Sequence, residues 1–369
     1  GTLSFSGTTF NGDAGTGRFI AVDQSVYNIE WWGGVENGES GTTDHTNIFK
    51  RMILHAQQQY TQVAKFRIPR GYWHISDTLN FGTLRGFLFA GEGSDTIQSA
   101  TLTYKSAASR IIWVGANGGT AMRIDGAFFK LTDFALYGAD IPTTIGASAS
   151  RCGIGIILGY TAGLGSGNGI VDNVRITDFD IAWQNGINTS DGNCGDMVFR
   201  SIEIRFCGIG MLTKNDQGLN YHFDYLQSTV NGKLFKFERG GGLKCGFVHT
   251  LVTPILLEID EAGSETGIFV FDLVKLDADQ GVGQSPQLVN MTVPATIAAV
   301  QIEFNSIRIP SAAYQGASTT PLFSITGNTR LRVKNATYLH PASLILKSEN
   351  GTAAFYPSAY FEDCMVDTA

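Results

Sequence analysis

The stretch FRSIEIRFCGIGMLTKNDQGLNYHFDYLQSTV, residues 199–230, carries one pattern twice: an apolar residue is followed five positions later by another, closing a strand-like run. Ile204 with Ile209 and Tyr225 with Val230 are the copies here, and Ile176 with Ile181, Phe247 with Val252 and Phe271 with Leu276 extend the series across Gly169–Asp279. Repeats about 21 to 28 residues apart, with loops of varying length, fit a coil that adds one turn per repeat. The expected fold is all-β, a single-stranded parallel β-helix, or β-solenoid.

Composition agrees. Only 16% of the 369 residues are charged and 45 are Gly, a mix that suits short strands parted by tight turns and not helical bundles. A solenoid absorbs this length in one body, so length does not count domains. The net charge of -7 gives no general attraction to nucleic acid or to an anionic membrane. No apolar run nears the roughly 18 residues that span a bilayer, and no basic-then-apolar leader opens the chain; the expectation is a soluble protein without membrane insertion. Starting at Gly1 instead of Met, the chain reads as trimmed. Five scattered cysteines, Cys152, Cys194, Cys207, Cys245 and Cys364, lack C-x-x-C spacing and read as buried small apolar residues.

In chain order, residues 1–26 are a Gly/Thr/Ser-rich lead-in. Residues 27–76 hold the one helix signal, over about 43–60: Thr43 or Asp44 caps it, and Ile48, Met52, Ala56 and Tyr60 form an apolar stripe. Ahead of a solenoid, such a helix covers the open end of the first coil. The body spans 77–369, with strands expected at 97–104 among others and a Pro/Gln-rich excursion at about 280–299. Lys130–Gly138 and Arg175–Trp183 echo one another through Thr132/Thr177, Asp133/Asp178 and Phe134/Phe179, 45 residues apart, or about two turns. The Gly-rich segment 153–169 reads as turns between rungs, since no Lys-Ser/Thr pair follows it as a phosphate loop requires.

The opening of the body points to a family. Trp32, Gly33, Thr42, Asp44, Thr46, Phe66, Ile68, Pro69, Gly71, Trp73 and Ile75 form an order W-x-G, T-x-D-x-T, amphipathic helix, F-x-I-P-x-G-x-W-x-I. It resembles the opening signature of pectate-lyase-like right-handed β-helix proteins, especially phage tailspike and tail-fibre depolymerases. Glu36, Asn37 and Gly38 depart from the family's Gly-Asp-Gly. The resemblance implies a right-handed coil, a homotrimer in the phage virion beside other tail and baseplate proteins, and a bacterial surface polysaccharide, capsule or O-antigen, as ligand.

Side chains alternate inward and outward along a strand, and successive coils stack about 4.8 Å apart. Setting the first apolar residue of each pair inward gives an outward column of Lys130, Arg175, Glu203, Asp224, Gly246 and Val270. Glu203 and Asp224 then lie about 5 Å apart, the carboxylate separation of retaining glycosidases, whereas one further coil would approach the inverting range of about 6.5–9.5 Å. They are the candidate catalytic pair. The same acids also fit a solvated face, with Glu203 paired to Arg175 or Arg205. Arg175, Arg205, His222 and His249 are candidate substrate-binding residues, the histidines also fitting packing or surface roles. Trp183, near Asn185, Asp191 and Asp196, is a candidate sugar-stacking platform or a buried residue. A second outward column, Arg205, Asp272, Glu303 and Lys334, looks like a solvated face or subunit contact.

No metal or cofactor is expected for a hydrolase. Two rivals stay open: a spike that only binds carbohydrate, and a polysaccharide lyase using Ca²⁺ on Asp172, Asp178 and Asp180 with Arg175 or Arg205 as base.

Overall fold

Phenylalanine and aliphatic side chains stack in columns that run the length of the molecule. The computed structural model describes residues 25–37, 43–58, 63–94, 108–138, 152–159, 165–187, 192–229, 231–260, 267–277, 287–291, 295–309, 320–337, 346–349 and 357–365. Phe66, Phe89, Leu131, Val171, Phe199, Phe223, Cys245, Phe271, Phe304 and Val333 are successive register partners, and all are buried. Rings meet nearly face to face within this column, Phe199 on Phe223 at 4.2 Å and Phe271 on Phe304 at 4.8 Å. Apart from one antiparallel bridge at Asn37, the described ladders are parallel, and parallel crossovers wind right-handed because strand twist favours that hand. The chain is a right-handed parallel β-helix with a capping helix at its N-terminal end.

Each coil has three faces. The first begins with Val26–Asn28, Lys65–Arg67 and Leu88–Ala90, the second with Gly71–Ile75 and Ser109–Trp113, and the third with Leu79–Gly82, Thr120–Ile124 and Cys152–Leu158. From Lys130–Tyr137 onward the first two faces merge into one strand, whose first half pairs with Leu88–Ala90 and whose second half pairs with Arg110–Ile112. Such a strand must bend. At the bend two consecutive residues point outward between inward ones: Arg200 and Ser201, Asp224 and Tyr225, Gly246 and Phe247, Asp272 and Leu273. Strict alternation fails there.

Coil length varies while the columns hold. The partners Val174, Ile202, Leu226, Val248 and Val274 mark coils of 28, 24, 22 and 26 residues. One corner explains the tolerance. Gly86, Phe128, Asn168, Asp196, Asn220 and Gly242 fall at the same position on six coils, and all have positive φ, from 54° to 122°. Gly, Asn and Asp adopt that conformation readily. Another corner is held by Asn231, 2% exposed, which accepts from Cys207 N–H at 2.8 Å and donates to Ile204 O at 2.9 Å and Ser228 Oγ at 2.8 Å.

The helix α1 runs Thr46–Gln58 and buries Phe49, Met52, Ile53 and Ala56. The expected stripe thus shifts by one residue at its start, Ile48 being half-buried, and Tyr60 lies outside the described residues. Asp44 holds the helix start: Oδ1 accepts from Thr46 N–H at 2.9 Å and Thr46 Oγ at 2.6 Å, and Oδ2 from Ser76 Oγ at 2.5 Å. Burial pushes the Asp44 pKa up, and the Ser76 and Thr46 hydrogen bonds outweigh it, leaving the carboxyl below its ordinary value. The opening signature has physical content here. Trp73 is buried and donates to Pro69 O at 2.9 Å, and Gly71, at φ 129°, leaves no room for a Cβ, which would meet Glu36 Cγ at 2.0 Å.

Several expectations change. Lys130 faces Ile170, so the two Thr-Asp-Phe motifs lie on adjacent coils and are not equivalent: Asp133 (φ 61°) kinks a strand at the bend, whereas Asp178 (φ 62°) turns a corner. The excursion at 280–299 contains a rung, Gln287–Met291, paired with Ile255–Ile259 on the third face. The lead-in before Ser25, the strand expected at 97–104, and Thr42 lie outside the described residues. Cys152, Cys194, Cys207 and Cys245 are buried and Cys364 is half-buried. Burial pushes the Cys152 thiol up to about 12.

Candidate functional site

Register decides which side chains meet on the outer surface. Arg175, Glu203, Gln227, His249, Lys275 and Arg308 are successive partners down the second face. Glu203 therefore sits over Gln227 and not over Asp224. Asp224 lies three residues before Gln227, roughly 10 Å of strand away and on the other side of the bend. The sequence expectation failed because Tyr225 and Phe247, taken as inward, are half-buried outward residues beside the bend.

Glu203 is 6% exposed, between two guanidiniums: Arg175 Nε is 3.2 Å from Oε2, and Arg205 Nε contacts Oε1. The three form a partly desolvated ion triad, in which removing Glu203 leaves two guanidiniums uncompensated. Asp224, by contrast, is exposed, and its Oδ1 lies 2.9 Å from His222 Nε2. His249 Nε2 pairs with Asp277 Oδ2 at 3.1 Å. Trp183 is 2% exposed in the inward column of the third face, between Ile156 and Met211, with Nε1 donating to Asn185 Oδ1 at 2.8 Å. It is core and offers no stacking platform. Asp191 lies outside the described residues.

The second outward column also dissolves. Arg205 aligns with Thr177 and Thr229, Asp272 sits at the bend, and Glu303 pairs with Arg332 at 3.7 Å and Lys334 at 3.5 Å. Asp172 lies 3.5 Å from Arg200, and among the described residues no three His, Cys, Asp or Glu side chains converge as a metal cluster.

Three columns run side by side where the bend meets the second face. The bend supplies Asp224, Gly246 and Asp272, the next position Tyr225, Phe247 and Leu273, and the second face Gln227, His249 and Lys275. Tyr225 and Phe247 meet edge to face at 5.4 Å, and Phe247 lies parallel to the His249 ring at 6.3 Å. Asp272 Oδ1 accepts from Asn305 Nδ2 at 2.9 Å. Two coils separate Asp224 from Asp272, about 9.6 Å of rise, and the glycine between them adds no side chain.

Two other polar features lie elsewhere. On the third face Lys236 Nζ bridges Glu238 at 3.1 Å and Asp260 at 2.9 Å, while nearly buried Glu258 pairs with Lys233 at 2.5 Å. Burial lowers the Lys236 pKa, and bonds to Asp260 and Glu238 more than reverse this, holding it above its ordinary value. A cleft of about 430 Å³ opens between α1 and the third face, lined by Lys50, Gln57, Asp77, Asn80 and Arg123. Its charges pair off, Lys50 with Asp77 at 2.5 Å and Arg123 with Asp125 at 2.9 Å.

No family model and no curated protein sequence matches the chain. Solved structures do. The Agl-KA catalytic domain is similar at a TM-score of 0.54 and 12% identity, over 94% of this chain and 66% of that one. The DFA-IIIase from Arthrobacter chlorophenolicus A6, without its lid, is similar at 0.52 and 12%, over 94% and 92%. The catalytic unit of a thermostable GH87 α-1,3-glucanase from Streptomyces thermodiastaticus is similar at 0.51 and 13%, over 93% and 69%. At such identities the likeness is one of fold, and it places this chain among right-handed parallel β-helices.

Proposed function

We propose that this chain binds a bacterial surface polysaccharide along the bend and second face and hydrolyses its glycosidic bonds, as a tailspike-type depolymerase. The carrying observation is the aromatic step Tyr225–Phe247, half-exposed and parallel to the coil axis, flanked by Asp224 and Asp272 two coils apart. A pyranose face stacks on such rings. Carboxylates near the upper end of the inverting range leave room for a water. In this reading one of the two, deprotonated, takes a proton from water as its oxygen attacks the anomeric carbon; the other protonates the departing glycosidic oxygen as that bond breaks. His222 positions Asp224. Glu203, with both oxygens engaged, orders Arg175 and Arg205 instead of reacting. The fold shared with an α-1,3-glucanase catalytic unit is compatible with this activity. The opening signature supports a homotrimer in a phage tail beside other tail and baseplate proteins.

One observation favours the binding-only reading: Asp224's immediate neighbours across the ladder are Arg200 and Gly246, so no carboxylate stands in register with it on either adjoining coil. The experiment that separates the two is product analysis after incubation with purified capsular and O-antigen polysaccharides, using wild type, Asp224→Asn and Asp272→Asn. Cleavage by wild type and not by the variants supports the assignment. Cleavage unchanged in both variants removes it. Tight binding across the panel without cleavage by wild type establishes the recognition role alone.

A further inference from the structure

We infer that the polysaccharide taken by this site is acidic, with carboxylated sugars whose charges are read by Lys275 and Arg308. The inference rests on the glycan-binding reading above and specifies its substrate class.

Lys275 and Arg308 are register partners on adjoining coils, so their side chains leave the surface about 4.8 Å apart. Both are exposed, and neither joins an ion pair among the described residues. The acids that share this face are already occupied: Glu203 by Arg175 and Arg205, and Asp277 by His249. From Arg175 to Arg308 the two outward columns of the second face thus carry four cations, Arg175, Arg205, Lys275 and Arg308, against two acids. The chain as a whole has a net charge of -7. Lys275 and Arg308 thus have no acid partner among the described residues, and complementarity across an interface is where such cations act.

Placement gives it a partner. Leu273, next to Phe247 in the outward apolar column, lies two residues before Lys275 on the same strand. A sugar stacked on Tyr225 and Phe247 presents one edge of its ring toward the acids of the bend and the other toward Gln227 and His249, and the units that follow along the polymer, one and two coils on, turn that second edge toward Lys275 and Arg308. Ring substituents on the second edge meet two free cations, and a carboxylate is the substituent that pairs with them. Carboxylates along the opposite edge would face Asp224 and Asp272 and be repelled, which fixes the direction in which the chain lies.

Affinity electrophoresis tests this, with the intact protein run through gels containing polygalacturonate, alginate or acidic capsular polysaccharides, each beside its carboxyl-reduced counterpart. Wild type should be retarded by acidic polymers and much less by the reduced ones, and raising ionic strength from about 0.05 to about 0.5 M should weaken retention. Lys275→Ala and Arg308→Ala should each weaken it about three- to fivefold, the effect of one exposed ion pair, and Lys275→Glu should do so more strongly. Unchanged thermal melts confirm that these surface variants fold. Equal retention by acidic and reduced polymers, lost in Tyr225→Ala, overturns the inference and leaves the glycan site standing. Retention by no polymer overturns both.

Discussion

Arg175 and Glu203 are register partners on consecutive coils, with the guanidinium Nε 3.2 Å from the carboxylate. Arg205 closes on the other oxygen from the same strand as Glu203. Glu203 is nearly buried although it lies on an outward column, its two arginines are half-buried, and the first role of the triad is therefore structural. Glu203→Ala should cost about 3–5 kcal/mol, because two guanidiniums lose their compensation. Urea denaturation measures it. Glycan cleavage per folded molecule should stay within a few-fold of wild type.

Asp224 has the opposite profile. It is exposed and pairs only with His222 among the described residues, so Asp224→Asn should change stability by no more than about 0.5 kcal/mol. Its cleavage rate should fall by about a hundredfold or more, as expected on losing a proton-transfer group. The first-formed anomer, followed by NMR, should be inverted relative to the substrate bond.

Trp183 and Tyr225 form a contrasting pair. Trp183→Ala opens a cavity in the inward column and should destabilise by about 3–5 kcal/mol, leaving glycan affinity of the folded fraction unchanged. Tyr225→Ala should do the reverse, keeping the melting temperature and losing affinity. Parallel melts and binding curves distinguish them.

Asn231→Ala removes three hydrogen bonds at a corner and strands the Cys207 N–H and the Ile204 carbonyl. The expected loss is about 2–4 kcal/mol, since each buried group left unpaired costs about 1–3 kcal/mol.

Asp44 gives a pH-dependent test. Its folded pKa lies below the ordinary carboxylate value, so the contribution is present above the unfolded pKa of about 3.9 and fades as pH falls through the folded value. Asp44→Ala should destabilise by about 1 kcal/mol at pH 7. That difference should shrink toward zero in denaturation series taken below about pH 4.

Much of the fold was legible in the residues. Phe66, Pro69, Gly71 and Trp73 announced the first coil, and Asp44 with an apolar stripe announced the cap; each constraint is local enough to leave a pattern. The register of the later coils was not, for a definable reason. Alternation assumes one outward residue between two inward ones, and the bend inserts two. Asp224–Tyr225 and Gly246–Phe247 therefore slip the count by one, which placed two aromatic residues inside and set Asp224 beside Glu203. Trp183 illustrates a second limit: an indole beside Asn and Gly looks alike on paper whether it faces a glycan or Ile156 and Met211. The matrix of Asp272, Phe247 and Lys275 came into view only through the ladder, because Phe247 is a coil away in sequence from the other two.

The left-handed corner shared by Gly86, Phe128, Asn168, Asp196, Asn220 and Gly242 has an evolutionary consequence. Because each coil returns to the same angular position however many residues it spends in its loops, insertions there leave the columns undisturbed. Variation can then redecorate the rim of the surface while the aromatic and charged rows keep their pitch. A lineage with this scaffold can change the polymer it meets by trading loops, without having to reinvent the body that presents them.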